Sequence, residues 1–135
     1  MGTYIAQSDV ESRWGTNNVL QWSNLDNSTT SADTTRIAAA ITFAEAYVQD
    51  RLRGGPYTIP FSANSSGAME TLEHQMATLA GCWLYSSRGT NDTDTDAKLD
   101  AARNDVDLFI ARVASGQIRL DLAASYSMPN APVVV

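Results

Sequence analysis

Cysteine, lysine and histidine occur once each in this 135-residue chain, as Cys82, Lys98 and His74. A single cysteine excludes an intrachain disulfide, and a reducing compartment is the simple inference. A single histidine without companions at ligand spacing excludes a zinc site. His74 and Cys82 fall on one expected helix, eight residues apart. That is about 12 Å along the axis, too far for a thiol–imidazole pair within one chain. Cys82 therefore reads as a buried structural cysteine. No apolar run approaches the roughly 18 residues that a bilayer demands, so no membrane segment is expected. The opening MGTYIAQSDV has neither the basic start nor the apolar core of a secretion signal. The sequons at Asn27, Asn64 and Asn91 accordingly carry little weight.

Positive charge is also scarce. Nine Lys and Arg stand against 15 Asp and Glu, a net charge of −6. Phosphate contacts need clustered positive charge, so the chain reads as a poor generic binder of nucleic acid. Arg51 and Arg53 are the only tight basic pair, and at a helix end they complement the macrodipole. A glycine-rich phosphate loop and a Ser–His–Asp set are both missing. The lack of a catalytic constellation argues for a scaffold or interaction protein rather than an enzyme, and no cofactor or metal is expected.

What is present is helical periodicity. SDVE, from Ser8 to Glu11, reads as a capping box with Ile5 ahead of it as a staple, and Gly15 is placed to end that short helix. A second short helix near Asn17 to Asn24 presents Val19, Leu20 and Trp22. DNSTTSAD, 26–33, is a loop by composition. Ile37, Ile41, Ala44, Val48 and Leu52 recur at steps of three and four, predicting a long helix from about Asp33 to Arg53. Met69, Leu72, Met76, Leu79 and Trp83 predict a second, about Gly67 to Arg88, capped by Ser65 or Ser66 and closed by Gly89. Leu99, Ala102, Val106, Phe109 or Ile110, and Val113 predict a third that runs to about Ser115 and ends at Gly116. QIRLDL alternates Ile118, Leu120 and Leu122 and reads as a short extended segment. The fold expected is all-α: a small bundle of three long and two short helices over residues 1–122, then an extended C-terminal tail, 123–135.

Two acidic patterns resemble sites and fail on detail. DTDTDAKLDAAR places Asp92, Asp94 and Asp96 at the first, third and fifth positions of a calcium loop. Ala97 stands where glycine is needed and Arg103 where a bidentate glutamate is needed. Those aspartates serve a helix N-terminus instead. The pairs Glu70 with Glu73, and Asp105 with Asp107, read as solvated helix faces.

DRLRGGPYTIPF, 50–61, is the exception to the pattern. Two glycines and Pro56 stop the long helix, and Tyr57, Ile59, Pro60 and Phe61 follow. Two readings fit. One tucks the apolar side chains over the bundle end as a lid. The other exposes them to a neighbouring subunit, where proline lowers the entropy lost on docking and aromatics supply contact area.

The order of segments carries a resemblance. YIAQSDVESRWG, an alanine-rich helix ending AYVQDRLRGGPYTIPF, a helix with LAGCWLYSSRG, and a helix closing ARVASGQIRLDL are together similar to the Mu-type gp36-like family of tailed phages and to head–tail connector adaptors. The likeness covers about residues 3 to 122. The family's opening pattern falls on Asp9, Val10, Arg13, Trp14 and Gly15, and its arginine–proline loop on Arg51, Arg53, Pro56 and Pro60; Gly54 stands where the family often has an aromatic. The resemblance implies a non-enzymatic virion protein at the head–tail junction, assembled in the host cytoplasm. It would form a ring with copies of itself, a dodecamer, between the portal protein and a downstream neck or tail protein. Packaged DNA would pass through the channel unread. The expected interface comprises Arg51, Arg53, Pro56, Tyr57, Ile59 and Phe61 of the bend. From a tail expected to reach out of its own subunit it adds Tyr126, Met128, Pro132, Val133, Val134 and Val135. The alternatives are a tail-completion protein at the same junction, or a small helical DNA-binding regulator with SDVESRWG as a turn–helix fragment.

Overall fold

A computed structural model describes residues 2–24, 31–88 and 93–124. It has five helices: α1 (Gln7–Trp14), α2 (Thr16–Ser23), α3 (Thr34–Leu52), α4 (Glu70–Arg88) and α5 (Thr93–Ala114). The fold is all-α, and among the described residues the only β pairing is two isolated antiparallel bridges.

α4 is the hub. It packs against all four other helices, and every residue from Met76 to Cys82 is buried. A helix enclosed on several sides must be apolar nearly all round, and LAGCWLY supplies that. The predicted stripe of α3 points inward as expected: Ile37, Ile41, Ala44, Val48 and Leu52 are all buried. Asp33 caps α3, its carboxylate accepting from the Thr35 and Arg36 N–H groups at 3.1 and 3.2 Å. α5 buries Leu99, Val106, Ile110 and Val113. Gly15 links α1 to α2 at φ 100°, ψ 139°, backbone that a side chain would strain.

Two expected helix starts move. α1 begins at Gln7 rather than after Ser8, with Ala6 at the N-cap position. Asp9, not Glu11, reaches back to the chain, accepting from the Ala6 N–H at 2.8 Å. The cause lies outside α1. The Glu45 carboxylate on α3 accepts from the Thr3, Tyr4 and Ile5 N–H groups at 3.0, 2.7 and 2.9 Å, which sets where the chain turns helical. Ile5 and Val10 are both buried, as a staple requires. α4 begins at Glu70 rather than Gly67. Gly67 sits at φ 81°, and the Ser65 hydroxyl donates to the Asp121 carboxylate instead of capping the helix. Tertiary partners outcompeted the local cap in both cases. The expected closure of α4 by Gly89 lies outside the described residues, as do Asp92, Asn27 and Asn91.

Cys82 faces α5, its thiol donating to the Leu99 carbonyl at 3.7 Å. Burial pushes this thiol up to about 11. The native state thus holds the proton more tightly than the unfolded chain. Stability from this group is complete at neutral pH and declines as pH rises between about 9 and 11. A thiol this protonated is a poor nucleophile. A thiol-reactive dye at neutral pH should label the folded protein at least ~100-fold more slowly than the urea-unfolded chain.

Candidate interaction surface

The bend after α3 folds back on its own subunit. Gly54 takes φ 92°, and the Gly55 N–H donates to the Leu52 carbonyl. The chain then runs antiparallel to the C-terminal segment, bridging Tyr57 to Ala124 and Ala63 to Leu122. The Thr58 N–H donates to Ala123, the Ala123 N–H to Ser62, and the Asn64 N–H to Asp121, at 2.9, 2.7 and 2.9 Å. Two tyrosine hydroxyls complete the stitching. Tyr57 accepts from the Leu120 N–H and Tyr4 from the Phe61 N–H, both at 2.8 Å.

This geometry corrects part of the expected interface. Tyr57 and Phe61 belong to the hydrophobic core, so the lid reading holds for both and neither is exposed to a neighbour. Their burial goes with the pairing: the Thr58 and Asn64 amides are satisfied by the C-terminal segment and the Phe61 amide by Tyr4, so the rings can enter the core without stranding these polar groups. Ile59 and Pro56 are half-buried. The bend presents to solvent Arg51, Arg53, Gly54, Thr58 and Pro60. Arg51 is not free to roam, since its guanidinium lies 3.5 Å from the Tyr47 ring centroid. Arg103 of α5 lies 4.8 Å from that ring, and the Tyr47 hydroxyl donates to Asp107 at 2.7 Å. Arg53 pairs with Asp50 at 3.3 Å, an exposed contact worth little. Ala123 and Ala124, the first two residues of the expected tail, pair with the bend of the same chain. Tyr126, Met128, Pro132, Val133, Val134 and Val135 lie outside the described residues.

A second surface was not singled out by the sequence. α1 and α4 enclose an open cleft of about 460 Å³, lined by Asp9, Ser12, Arg13, Glu70, Glu73, His74 and Ala77. Glu70 and Glu73 thus line an open cleft with Asp9, Ser12 and Arg13 of α1; Glu70 is exposed and Glu73 half-buried. Burial, then the Asp9 and Glu70 carboxylates, raise the Glu73 carboxyl above the ordinary range. Burial and then Arg13 lower His74. Arg13 is already engaged, lying 4.2 Å over Trp14 and donating to the Thr78 hydroxyl at 2.9 Å. A folded-state pKa raised above the unfolded value means stability is present at low pH and is lost as pH rises through that value. Glu73→Gln should therefore stabilise the protein slightly at neutral pH, by at most a few tenths of a kcal/mol because solvent screens this partly exposed group. The gain should vanish when pH falls below the carboxylate range, read by urea denaturation across pH. A signal existed in the sequence, since Glu70 and Glu73 lie on one helix face, but Asp9 is about 60 residues away in the chain.

Among the described residues, no three His, Cys, Asp or Glu side chains are placed to hold a metal ion. Asp94 and Asp96 lie in the first turn of α5, and Ala97 and Arg103 follow in continuous helix, so these four positions run along a helix rather than around a loop. No helix of the described residues is long and apolar enough to cross a membrane.

The five helices follow in the order of the segments that carry the sequence resemblance. A family model described as bacteriophage Mu, Gp36 matches residues 4–134. The chain belongs to the bacteriophage Mu Gp36 family. No curated protein matches it. The Gp36 match runs to residue 134, further than the likeness expected over about residues 3 to 122. The Mu Gp36 assignment makes this a phage protein, and it covers the bend, the acidic cleft and α5 together.

Proposed function

We propose that this Gp36-family chain is a structural subunit of the phage particle. It acts as a head–tail connector adaptor that forms a ring between portal and tail, extends the DNA channel and helps seal the filled head, without catalysis. Membership of the Mu Gp36 family over residues 4–134 is the observation that carries this reading.

Two physical features support it. The net charge of −6 suits a channel through which DNA slides, because acid repels phosphate. The bend is held by main-chain bonds on its inner side while Arg53, Thr58 and Pro60 remain exposed. It is thus pre-organised, which lowers the entropy lost on docking. A ring closes only when each subunit offers two different, complementary faces. The bend is one such face, and residues 125–135 serve attachment to the portal.

Native mass measurement and imaging, with and without a portal, test this. The expected result is a closed ring stacked on the portal. Deleting Ser127 to Val135 should leave the melting curve unchanged and weaken portal attachment. A chain that stays monomeric and ignores the portal overturns the reading. Attachment to a tail tube but not to a portal would assign the protein to tail completion.

A further inference from the structure

A cleft of about 250 Å³ lies between the bend and the last turn of α5, lined by Leu52, Gly55, Pro56, Tyr57 and Val113, with Arg53 beside them. Leu52, Tyr57 and Val113 are core side chains, so the cleft opens directly onto the core. The C-terminal segment heads for it. Leu122 pairs with Ala63 and Ala124 with Tyr57, so the chain runs back along the bend towards Pro56 and Gly55. Two more residues in the same register, about 7 Å of extended chain, bring position 126 beside Gly55.

Side-chain alternation selects the same position. Ile118, Leu120, Leu122, Ala124, Tyr126 and Met128 alternate with Arg119, Asp121, Ala123, Ser125 and Ser127. Residues two apart in extended chain share a face. On that face Leu122 is buried, Ile118 and Leu120 pack against the core, and Ala124 stands across from the buried Tyr57. Ala124 is itself exposed, so the inward face loses its cover where the cleft begins.

We infer that the Tyr126 ring of the same chain occupies this cleft and anchors the C-terminal tail to the bend. The size fits, since an apolar cavity of about 150 Å³ takes a benzene ring. Gly55 has no side chain, and an aromatic ring across from a glycine covers the backbone left bare there. Tyrosine buries its ring and keeps its hydroxyl wet, which suits an open cleft with an arginine beside it. Ser125 and Ser127 lie on the other face, and Met128 falls beside Arg53 in this register. The anchor takes residue 126 and leaves residues 127–135 available to a portal. It fixes where that segment leaves the subunit, and it forms without a portal.

Nuclear Overhauser contacts in the free 135-residue chain test this. The Tyr126 ring should show contacts to the Val113 methyl groups. A mixture of labelled and unlabelled chains should place those contacts within one chain. Tyr126→Ser should speed exchange of the Thr58 amide, which donates to Ala123, by about tenfold. Tyr126→Phe should leave that exchange near the wild-type rate, and unchanged exchange in α4 is the folding control. Truncation after Tyr126 should keep the protection of Thr58, and truncation after Ser125 should lose it. Absent ring contacts, contacts found only between chains, wild-type exchange in Tyr126→Ser, or equal loss in both truncations would each overturn the inference. Portal attachment is measured separately, so a failed anchor and a failed connector reading are distinguishable.

Discussion

Glu45→Ala is expected to destabilise the protein by about 3 kcal/mol, shifting the melting temperature by about 10 °C. Glu45 is a buried carboxylate, only 6% exposed, and it has three backbone donors: Thr3 on Oε1, and Tyr4 and Ile5 on Oε2. Bonds to an ionised acceptor are roughly twice as strong as neutral ones. Alanine leaves three N–H groups with no acceptor, so residues 2–5 are released to water. With them go the burial of Ile5 and the packing of Tyr4 on Phe61, whose rings lie 5.6 Å apart. Hydrogen exchange at the Thr3, Tyr4 and Ile5 amides should rise far more than at α4. Glu45→Gln is a sharper test. Its single oxygen can keep Tyr4 and Ile5, but its amide nitrogen then faces the Thr3 N–H, donor to donor. About half of the alanine effect is expected. Denaturation curves for Glu45→Ala that overlay the wild type would show that the carboxylate does not hold this segment.

The second large effect sits at Gly81, in the middle of α4. By helix propensity alone, Gly81→Ala should stabilise an interior helical position by about 1 kcal/mol. The structure reverses the sign. A methyl group there would overlap the Trp14 indole, whose Nε1 donates to the Ala77 carbonyl at 3.2 Å. Trp14 cannot retreat freely. It meets Trp22 edge-on at 5.5 Å, and Trp22 meets Tyr85 at 5.3 Å. Overpacking of a close-packed core costs about 1–3 kcal/mol and more where the neighbour is rigid. Gly81→Ala should therefore lose about 3 kcal/mol, with α1 displaced from α4 and a changed tryptophan emission spectrum. In a Trp14→Ala background the same substitution should become neutral or stabilising. A loss of equal size in both backgrounds would mean that the indole is not the obstacle.

These two positions show where sequence reading reaches its limit. The α3 stripe was legible because its spacing reflects one face of one helix. Glu45 carried no signal, since its partners are 40 residues or more away in sequence. Gly81 carried half a signal: a glycine inside a helical pattern points to close approach, but not to which side chain approaches. Ser8 and Ser65 looked like caps by local rules and were overridden by Glu45 and Asp121.

The bend at 50–61 divides the same way. Its glycines and prolines announced a firm stop to α3, and Gly54 and the turn behave as that chemistry requires. Whether Tyr57 and Phe61 point in or out depended on distant chain: the Leu120 N–H, about 60 residues on, donates to the Tyr57 hydroxyl, and the Tyr4 hydroxyl accepts from the Phe61 N–H. The amino-acid order alone determined the all-helical class, the long-helix stripes and the acidic surface, because periodicity and charge act over one or two turns. Tertiary structure alone decided the inward aromatics, the shared α1–α4 carboxylate cleft and the buried Glu45, because a polar or aromatic side chain settles wherever distant backbone can satisfy it.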